Sequence, residues 1–310
     1  MKILVTGAAG YIGSILVPRL LEEGHEALAV DNFMYRQVTL LDCCASRCFS
    51  MVRGDARDPA LLDRLVPKAD AIIPLACLTG APLCAKDPVG ARSIIVDAVR
   101  EVLKRRSKSQ IIIYPTTNSG YGVGEKGKFC TEETPLRPIS LYGKLKSEIE
   151  ADILAAGHAI TFRLATVFGV SPRMRTDLLV NDFVQRAVRD RFVVLFEADF
   201  KRNYLHVRDA AAAFSYCLRN FDKMKDQAYN VGLSEANLSK RELCAEIQKR
   251  LPEFYVTESS IGQDPDKRDY IVSNAKIEAA GFKAVRGIQE GIAELISAYQ
   301  ILPAQPFGNV

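Results

Sequence analysis

Residues 2–13 read Lys-Ile-Leu-Val-Thr-Gly-Ala-Ala-Gly-Tyr-Ile-Gly, an apolar run followed by a glycine-rich turn. The run predicts a buried strand, and the amphipathic pattern that begins at Tyr11 predicts a helix. A glycine turn between such elements brings backbone N–H groups and the positive end of the helix against a pyrophosphate. We expect Gly7 to form the tight turn, Gly10 to admit the phosphates, and Gly13 to let the helix pack on the strand.

An acidic residue ends the next predicted strand. Asp31 follows the apolar run 27–30, about twenty residues beyond the glycines, where a carboxylate can accept hydrogen bonds from both hydroxyls of an adenosine ribose. Because a carboxylate repels a 2′-phosphate, Asp31 favours NAD over NADP, although Arg36 keeps NADP open as an alternative. A glycine-rich turn without any ligand is the other alternative.

Composition narrows the classes of partner. The chain has 41 basic and 37 acidic residues, a net charge of +4, which does not indicate nucleic acid as the main partner. It shows no signal-peptide pattern and no apolar stretch of about 18 residues, so we expect no membrane span. The eight cysteines form no CxxC pair, so we expect no metal site and a reducing, cytoplasmic location.

Strands and helices alternate through the first half of the chain. The predicted strands are residues 3–6, 27–30, 50–53, 71–75, 111–114 and 159–164, and the predicted helices are 11–23, 59–66, 89–105 and 140–156. Apolar strands separated by helices predict a parallel sheet covered on both faces, and right-handed crossovers make it a doubly wound Rossmann α/β sheet.

The regular alternation of predicted strands and helices ends after Gly169. Residues 228–231 predict a strand that returns to the main sheet, and Ser239 with Glu242 predicts a capping box at the start of a helix. We therefore expect an NAD-binding Rossmann domain and a smaller, interleaved C-terminal α/β lobe that binds substrate. The expected boundaries are 1–169 plus about 206–231 for the first, and 170–205 plus 232–310 for the second.

Tyr142 and Lys146 lie four residues apart, so they share one face of a predicted helix. A free tyrosine has a pKa near 10, and a nearby ammonium group lowers that value. The pair can therefore provide a general base for an alcohol proton. Thr117 follows the predicted strand 111–114 at the edge where ligands bind in such sheets, and its hydroxyl can orient a substrate oxygen. Alternatively, that hydroxyl only caps the turn.

The ordered motifs of the chain resemble one family. They are TGAAGYIG at 6–13, DN at 31–32, GDARD at 54–58, YPTTNSGYG at 114–122, YGKLK at 142–146, FRLATVFG at 162–169 and RNYLHVRD at 202–209. Their order and spacing are similar to those of extended short-chain dehydrogenases/reductases of the nucleotide-sugar epimerase/dehydratase family. The resemblance runs from Met1 to about Tyr299.

This resemblance implies roles for individual residues. The cofactor-binding residues would be Gly7, Gly10, Tyr11, Ile12, Gly13, Asp31, Asn32, Asp55, Ala56, Leu75, Ala76 and Thr79, together with Tyr142 and Lys146. The catalytic residues would be Thr117, Tyr142 and Lys146, and the substrate-binding residues Thr117, Asn118, Ser119, Asn181, Arg202 and Arg268. Two arginines are suited to bind a diphosphate, because each planar guanidinium group can donate two parallel hydrogen bonds to phosphate oxygens. For Arg268, a surface ion pair with Asp264 or Asp266 is the alternative.

Two departures from the family pattern bear on the reaction. Dehydratases of this family carry Asp-Glu directly after the catalytic Thr, whereas Asn118 and Ser119 stand here. Neither can move a proton as a carboxyl group does, so dehydration is disfavoured. Some proteins of this fold are non-catalytic dinucleotide sensors, but these typically lack the Tyr or the Lys that this chain retains.

Residues 73–76, 117–122 and 264–270 are similar to a narrower branch, enzymes of bacterial capsule-sugar pathways that oxidise carbon 4 of GDP-linked manno-heptose. The resemblance implies NAD-dependent oxidation of a nucleoside-diphosphate sugar to a 4-keto sugar, and re-reduction of that ketone would make the protein a 4-epimerase. It also implies a homodimer that pairs through the predicted helices 89–105 and 140–156. Apolar residues of these helices could equally pack on the sheet.

Overall fold

The computed structural model describes residues 1–262 and 268–303. Its strands are β1 (Lys2–Thr6), β2 (Glu26–Asp31), β3 (Phe49–Arg53), β4 (Ala71–Pro74), β5 (Ile111–Thr117), β6 (Phe129–Cys130), β7 (Ala159–Leu164), β8 (Thr166–Phe168), β9 (Phe192–Leu195), β10 (Lys201–His206), β11 (Gln227–Val231), β12 (Asn237–Ser239), β13 (Tyr255–Glu258) and β14 (Ile271–Val272). Its α-helices are α1 (Gly13–Glu22), α2 (Pro59–Leu65), α3 (Ala81–Lys86), α4 (Pro88–Arg92), α5 (Ala98–Arg105), α6 (Leu141–Ala156), α7 (Leu179–Arg189), α8 (Val207–Arg219), α9 (Phe221–Met224), α10 (Lys240–Gln248), α11 (Ala275–Ala279) and α12 (Ile288–Ile301).

Seven parallel strands form the main sheet, in the order β11-β7-β5-β4-β1-β2-β3. The chain builds outward from β1 in one direction through β2 and β3, and in the other through β4, β5, β7 and β11. The topological switch point therefore lies between β1 and β4, and a crevice at the carboxyl ends of these strands is the usual ligand site. The doubly wound fold predicted from the sequence is confirmed.

The alternating side chains of β1 explain why the sheet is covered on both faces. Ile3 and Val5 pack into one apolar layer with Leu16 of α1. Leu4 points to the opposite face and packs into a second layer that includes Ile149 of α6. Because both faces are buried, the central strands are apolar throughout instead of alternating with polar residues.

The second half of the chain forms smaller sheets and then rejoins the first. β10 pairs in parallel with β8 and antiparallel with β12, which builds a three-stranded sheet beside the main one. β11 then returns to the main sheet and pairs with β7, as the run 228–231 predicted. None of the helices in the two described stretches is both long and apolar enough to cross a membrane.

One predicted helix is interrupted in the structure. Residues 89–105 were expected to form a single helix, but α4 and α5 are separated by a π-helical turn at Ser93–Asp97. Such a turn inserts one residue into the helical repeat and is frequent near functional sites. The apolar periodicity of the segment continues through the insertion, so the sequence pattern did not reveal it.

The capping box predicted for α10 is present. The Ser239 hydroxyl accepts a hydrogen bond from the Glu242 backbone N–H at 3.1 Å, and the Glu242 carboxylate accepts one from the Ser239 N–H at 2.7 Å. The box fixes the start of a helix that packs against α7 and α12. Its two hydrogen bonds satisfy donors that a helix end otherwise leaves unpaired.

We expect Ser239→Ala to lower the free energy of unfolding by about 1 kcal/mol, because it removes the side-chain cap of α10. Urea unfolding followed by circular dichroism measures the change. The control is Ser297→Ala in α12, whose exposed hydroxyl bonds only the preceding turn. A control effect as large as that of Ser239→Ala would contradict the role of the cap.

Candidate active site

A cavity of 380 Å³ lies at the carboxyl ends of the main strands. It brings together most of the residues singled out from the sequence, namely Gly7, Gly10, Tyr11, Ile12, Gly13, Asp31, Asn32, Asp55, Ala56, Leu75, Ala76, Thr79, Thr117, Ser119, Tyr142, Lys146 and Arg268. Asn118, Asn181 and Arg202 are not part of its wall. The glycine turn, the ends of β2, β4 and β5, and the first turns of α6 supply the side chains.

The glycine turn is built for close backbone approach. Gly7 has a φ of +67°, and a Cβ there would lie 2.6 Å from the backbone nitrogen of Ala76 at the end of β4. A Cβ on Gly13 would lie 2.4 Å from the carbonyl oxygen of Ala8. Both positions therefore exclude a side chain. A ligand in the cavity can then approach the N-terminal end of α1 without a side chain between them.

Two carboxylates lie on the cavity side of β2 and β3. Asp31 accepts hydrogen bonds from the backbone N–H groups of Ala9 at 3.0 Å and Phe33 at 2.7 Å, which orients its oxygens and leaves further lone pairs for a ligand. Asp55 receives a two-pronged contact from Arg57, with a shortest distance of 2.6 Å. That contact holds the pKa of the Asp55 carboxyl below its usual value, so it is an acceptor at neutral pH.

Lys146, which the sequence pairs with Tyr142, is buried. Its Nζ donates to the Tyr114 hydroxyl at 3.0 Å and to the Pro115 carbonyl at 2.8 Å, and it is 3 % exposed. It also lies 4.3 Å from the centroid of the Tyr114 ring, a favourable cation–π distance. An ammonium group has three donors, so these contacts leave one proton of Lys146 for a ligand.

Burial and charge act in opposite directions on Tyr142. Burial raises the pKa of its phenol above the ordinary value, and the charge of Lys146 opposes that rise. The contribution of Lys146 has the sign expected from the sequence, but it does not outweigh desolvation. Tyr142 alone is therefore protonated at neutral pH, and a further positive charge in the cavity would favour the phenolate.

Thr117 caps its turn and also lines the cavity, so the two alternatives left open by the sequence, a turn cap and a ligand contact, do not exclude each other. Its Oγ1 accepts a hydrogen bond from the Ser119 N–H at 3.1 Å and so caps the 3-10 turn Asn118–Tyr121. The hydroxyl proton is not used in that contact, and Thr117 lines the cavity beside Tyr142. A capping threonine can therefore still donate to a ligand oxygen.

The three residues outside the cavity wall have different surroundings. Asn118 is 1 % exposed, and neither polar atom of its amide has a hydrogen-bond partner within residues 1–262 and 268–303. Asn181 is fully buried; its amide donates to the Arg175 carbonyl at 2.8 Å and accepts from the Gly169 N–H at 3.0 Å. Asn181 therefore supports loop 169–175, and its assignment to the substrate diphosphate stays a prediction.

Arg202 and Arg268 both act on one buried phenol, that of Tyr204. Both lie close enough to Tyr204 that their charges oppose the rise that burial causes in its pKa. Arg202 is on β10, and Arg268 precedes β14 and reaches the cavity. Residues 263–267, which include Asp264 and Asp266, lie outside the described residues, so the alternative ion pair of Arg268 stays a prediction.

Sequence reasoning missed four residues that the structure brings to the site, namely Tyr35, Tyr114, Arg173 and Arg175. Both arginines belong to the stretch Ser-Pro-Arg-Met-Arg that follows FRLATVFG, and two cations directly after a strand-end motif were the available signal. Tyr114 gave no signal, because an aromatic residue in an apolar strand looks like core.

A buried ion pair fixes α6 to the sheet. Arg163 of β7 donates to Glu150 at 2.7 Å, and Glu150 also accepts a 2.7 Å hydrogen bond from Thr116. Glu150 lies one helical turn beyond Lys146, and Thr116 directly precedes Thr117. The network therefore joins the helix that carries Tyr142 and Lys146 to the strand that carries Thr117.

The sequence of the chain is similar to those of known proteins. A family model described as "NAD dependent epimerase/dehydratase family" matches residues 3–232. The chain is 27 % identical over 320 residues to the low-salt glycan biosynthesis protein Agl12 of Haloferax volcanii, covering 96 % of this chain and 98 % of that one. It is 26 % identical to a UDP-glucose 4-epimerase of Lactobacillus helveticus, covering 75 % and 76 % of the two chains.

Solved structures show the same fold. A UDP-glucose 4-epimerase of Thermus thermophilus in complex with NAD superimposes with a TM-score of 0.82 at 23 % identity, covering 97 % of this chain and 99 % of that chain. A UDP-glucuronic acid 4-epimerase of Bacillus cereus, in complex with UDP-glucuronic acid and NAD, gives a TM-score of 0.86 at 20 % identity, with coverage of 97 % and 99 %. The cofactor of this chain is NAD, as its glycine turn and Asp31 predicted.

We expect Tyr114→Phe to weaken NAD binding by roughly 2- to 10-fold, because Lys146 loses one of its two acceptors and its remaining proton is no longer fixed. Calorimetric titration of the purified protein with NAD measures the affinity. The matched control is Tyr299→Phe, another buried tyrosine whose hydroxyl donates to a carbonyl, that of Asn181. Equal losses in the two variants would contradict a specific role of Tyr114.

Proposed function

Because the chain belongs to the NAD dependent epimerase/dehydratase family, we propose that it oxidises carbon 4 of a nucleoside-diphosphate sugar. One observation carries the proposal. Thr117, Tyr142 and Lys146 line the same cavity as the glycine turn and Asp31, so an alcohol base and a dinucleotide site share one space. When bound, NAD supplies the acceptor for the hydride that leaves carbon 4.

The chain's own residues handle the proton and the geometry. Tyr142 accepts the proton of the carbon 4 hydroxyl, and Thr117 donates a hydrogen bond that orients that oxygen. Lys146 stabilises the phenolate through its charge and offers its remaining proton to a ribose hydroxyl of the cofactor. The positive charge of the oxidised nicotinamide ring adds to that of Lys146 and so opposes the burial that keeps Tyr142 protonated.

The residues around the glycine turn suit the adenosine and diphosphate part of the cofactor. The end of α1 and the side-chain-free positions Gly7 and Gly13 accommodate the diphosphate, and the oriented oxygens of Asp31 accept the adenosine ribose. Asp55 is an ionised acceptor for the adenine amino group. At the substrate end, we assign the diphosphate of the sugar nucleotide to Arg268, which lines the cavity, and to Arg202, which lies outside its wall and whose charge acts on the same phenol, that of Tyr204.

The fate of the 4-keto sugar has two candidate outcomes. Among the relatives are epimerases that act on UDP-glucose and UDP-glucuronate, which supports return of the hydride and 4-epimerisation. The motifs at 73–76, 117–122 and 264–270 favour a dehydrogenase that releases the ketone, with GDP-linked manno-heptose as the candidate substrate. Asn118 and Ser119 argue against a 4,6-dehydratase, because neither provides a carboxyl group. An intact Thr117–Tyr142–Lys146 set argues against a non-catalytic sensor.

We also propose that the protein is a homodimer and is located in the cytoplasm. The exposed faces of α4, α5 and α6 carry a chain of ion pairs in which Glu148 contacts Arg92 at 2.8 Å and Arg100 at 2.9 Å. Asp152 contacts Arg100 at 2.7 Å. The surface expected to pair two copies is therefore charged, and an interface there would be polar and sensitive to salt.

We expect Tyr142→Phe to reduce the turnover of a sugar nucleotide by roughly 10²- to 10⁴-fold, because it removes the base while keeping the ring. The assay incubates the protein with UDP-glucose, UDP-glucuronic acid or GDP-linked manno-heptose, and follows both reduced nicotinamide and the stereochemistry at carbon 4. The free energy of unfolding, measured in urea by circular dichroism, serves as the control for folding and should change little. Full turnover by the variant would exclude Tyr142 as the base.

The same assay separates the two outcomes. An epimerase interconverts the carbon 4 isomers with no lasting accumulation of reduced nicotinamide. A dehydrogenase accumulates reduced nicotinamide in proportion to the protein and stops until a second acceptor reoxidises it.

We expect kcat/KM to rise with pH from neutral into the alkaline range, because the base must be deprotonated and burial raises the pKa of Tyr142. Lys146→Met removes the opposing charge, so the rise should shift to higher pH. The matched control is Lys144→Met, an exposed lysine on the same helix. A Lys146→Met profile that rises at the wild-type pH would contradict the electrostatic role of this lysine.

A further inference from the structure

Two side chains from opposite walls of the cavity meet across it. Tyr35 belongs to the segment that follows β2, and Arg173 belongs to the loop that follows β8. The guanidinium carbon of Arg173 lies 4.2 Å from the centroid of the Tyr35 ring, and Arg173 is 2 % exposed. This is the geometry of a desolvated cation–π contact. Both residues line the cavity, so the contact joins the segment after β2 to the loop after β8 within the cavity wall.

The loop that carries Arg173 is fixed to the glycine turn and α1. The Tyr11 hydroxyl donates to the Gly169 carbonyl at 2.6 Å, and the Ser171 hydroxyl donates to the Tyr11 carbonyl at 2.8 Å. The hydroxyl oxygens of Ser14 and Ser171 are 2.8 Å apart. These contacts set the position of Arg173 beside the N-terminal end of α1, where a diphosphate binds.

The opposite segment is fixed at both of its ends. Asp31 accepts a hydrogen bond from the Phe33 N–H at 2.7 Å, and the Thr39 hydroxyl donates to the Ala9 carbonyl at 3.0 Å. Between these points, the Tyr35 hydroxyl has no hydrogen-bond partner in the part of the chain that the structure describes. The ring of Tyr35, and not its hydroxyl, therefore makes the contact with Arg173.

We propose that Arg173 and Tyr35 form a latch over the adenosine and diphosphate half of bound NAD, and that this latch sets the rate at which the cofactor leaves. Arg173 is close enough to Asp31, which would face the ribose, for the two charges to attract each other. Its backbone N–H donates to the Ser14 hydroxyl at 3.4 Å, in the first turn of α1, whose end would face the diphosphate. Arg175 is close enough to Arg173 that the two guanidinium charges repel each other. A diphosphate between them and α1 relieves that repulsion and so favours the closed latch.

The latch has a different effect on the two ligands. NAD would have to pass it to exchange, whereas the sugar nucleotide is assigned to Arg202 and Arg268, which belong to other segments of the chain. A slow exchange suits a reaction in which the hydride returns within one turnover, and it would limit a dehydrogenase that must exchange its cofactor. The inference rests on the use of NAD and not on which sugar the protein oxidises.

The test measures the release of NAD in the absence of any sugar. Full-length protein is loaded with radiolabelled NAD, chased with excess unlabelled NAD, and sampled over time by rapid filtration. We expect Tyr35→Ala and Arg173→Ala to release NAD about 10-fold faster than wild type, since each removes one half of the cation–π contact. Tyr35→Phe is the matched control and should stay within about 2-fold, because the lost hydroxyl has no partner.

Three results would overturn the latch. The alanine variants could release NAD at the wild-type rate, or Tyr35→Phe could release it as fast as Tyr35→Ala. The third is an Arg173→Met variant as slow as wild type, since a side chain of similar length without a charge would then suffice. If the alanine variants do not fold, Tyr35→Leu replaces Tyr35→Ala, because it keeps an apolar side chain of similar reach.

A second measurement separates the latch from general damage to the cavity. ADP-ribose lacks only the nicotinamide of NAD, so it keeps the adenosine and the diphosphate beneath the latch, whereas nicotinamide mononucleotide lacks the adenosine and one of the two phosphates. We expect the alanine variants to release ADP-ribose faster, as they do NAD, and to bind nicotinamide mononucleotide as wild type does. An equal loss for the two fragments would show that the substitutions disturb the whole cavity and would reject the proposal.

Discussion

A buried ammonium group is the interaction on which the site depends. Lys146 is held by a phenol, a carbonyl and an aromatic face, all supplied by two consecutive residues of β5, Tyr114 and Pro115. A charge removed from water at this depth is costly unless it is paired or bonded. The strand therefore defines where the charge lies, and the charge in turn determines how acidic the phenol of Tyr142 can become.

This arrangement connects the chemistry to the packing of the fold. Glu150 and Arg163 form a buried pair that holds α6 against β5 and β7, and Thr116 joins the same network. On the other side, the Tyr114 hydroxyl reaches the Ile95 carbonyl within the π-helical turn Ser93–Asp97. The irregular turn thus lies directly behind the lysine, which gives a physical reason for an interruption in an otherwise regular helix.

Much of this could be predicted from the sequence, because the decisive signals are local. The glycine turn, Asp31 and the Tyr142–Lys146 pair each depend on spacing within one strand–turn–helix unit or one helix. The features that could not be predicted from the sequence depend on contacts between distant parts of the chain. Nothing near Arg173 in the sequence points to Tyr35. The support that the Asn181 amide gives to the loop that carries Arg173 likewise left no signal in the sequence, and its assignment to the substrate stays a prediction.

The return of β11 to the main sheet has a consequence for how the protein can be assembled or divided. The last strand of the Rossmann layer is synthesised only after β8, β9 and β10 have emerged. A chain cut at residue 169 would expose the edge of β7, with its row of unpaired backbone groups, and such edges promote aggregation. The main sheet is therefore complete only when the second half of the chain is present, and exchanging the segment between β7 and β11 for that of another protein would require two junctions instead of one.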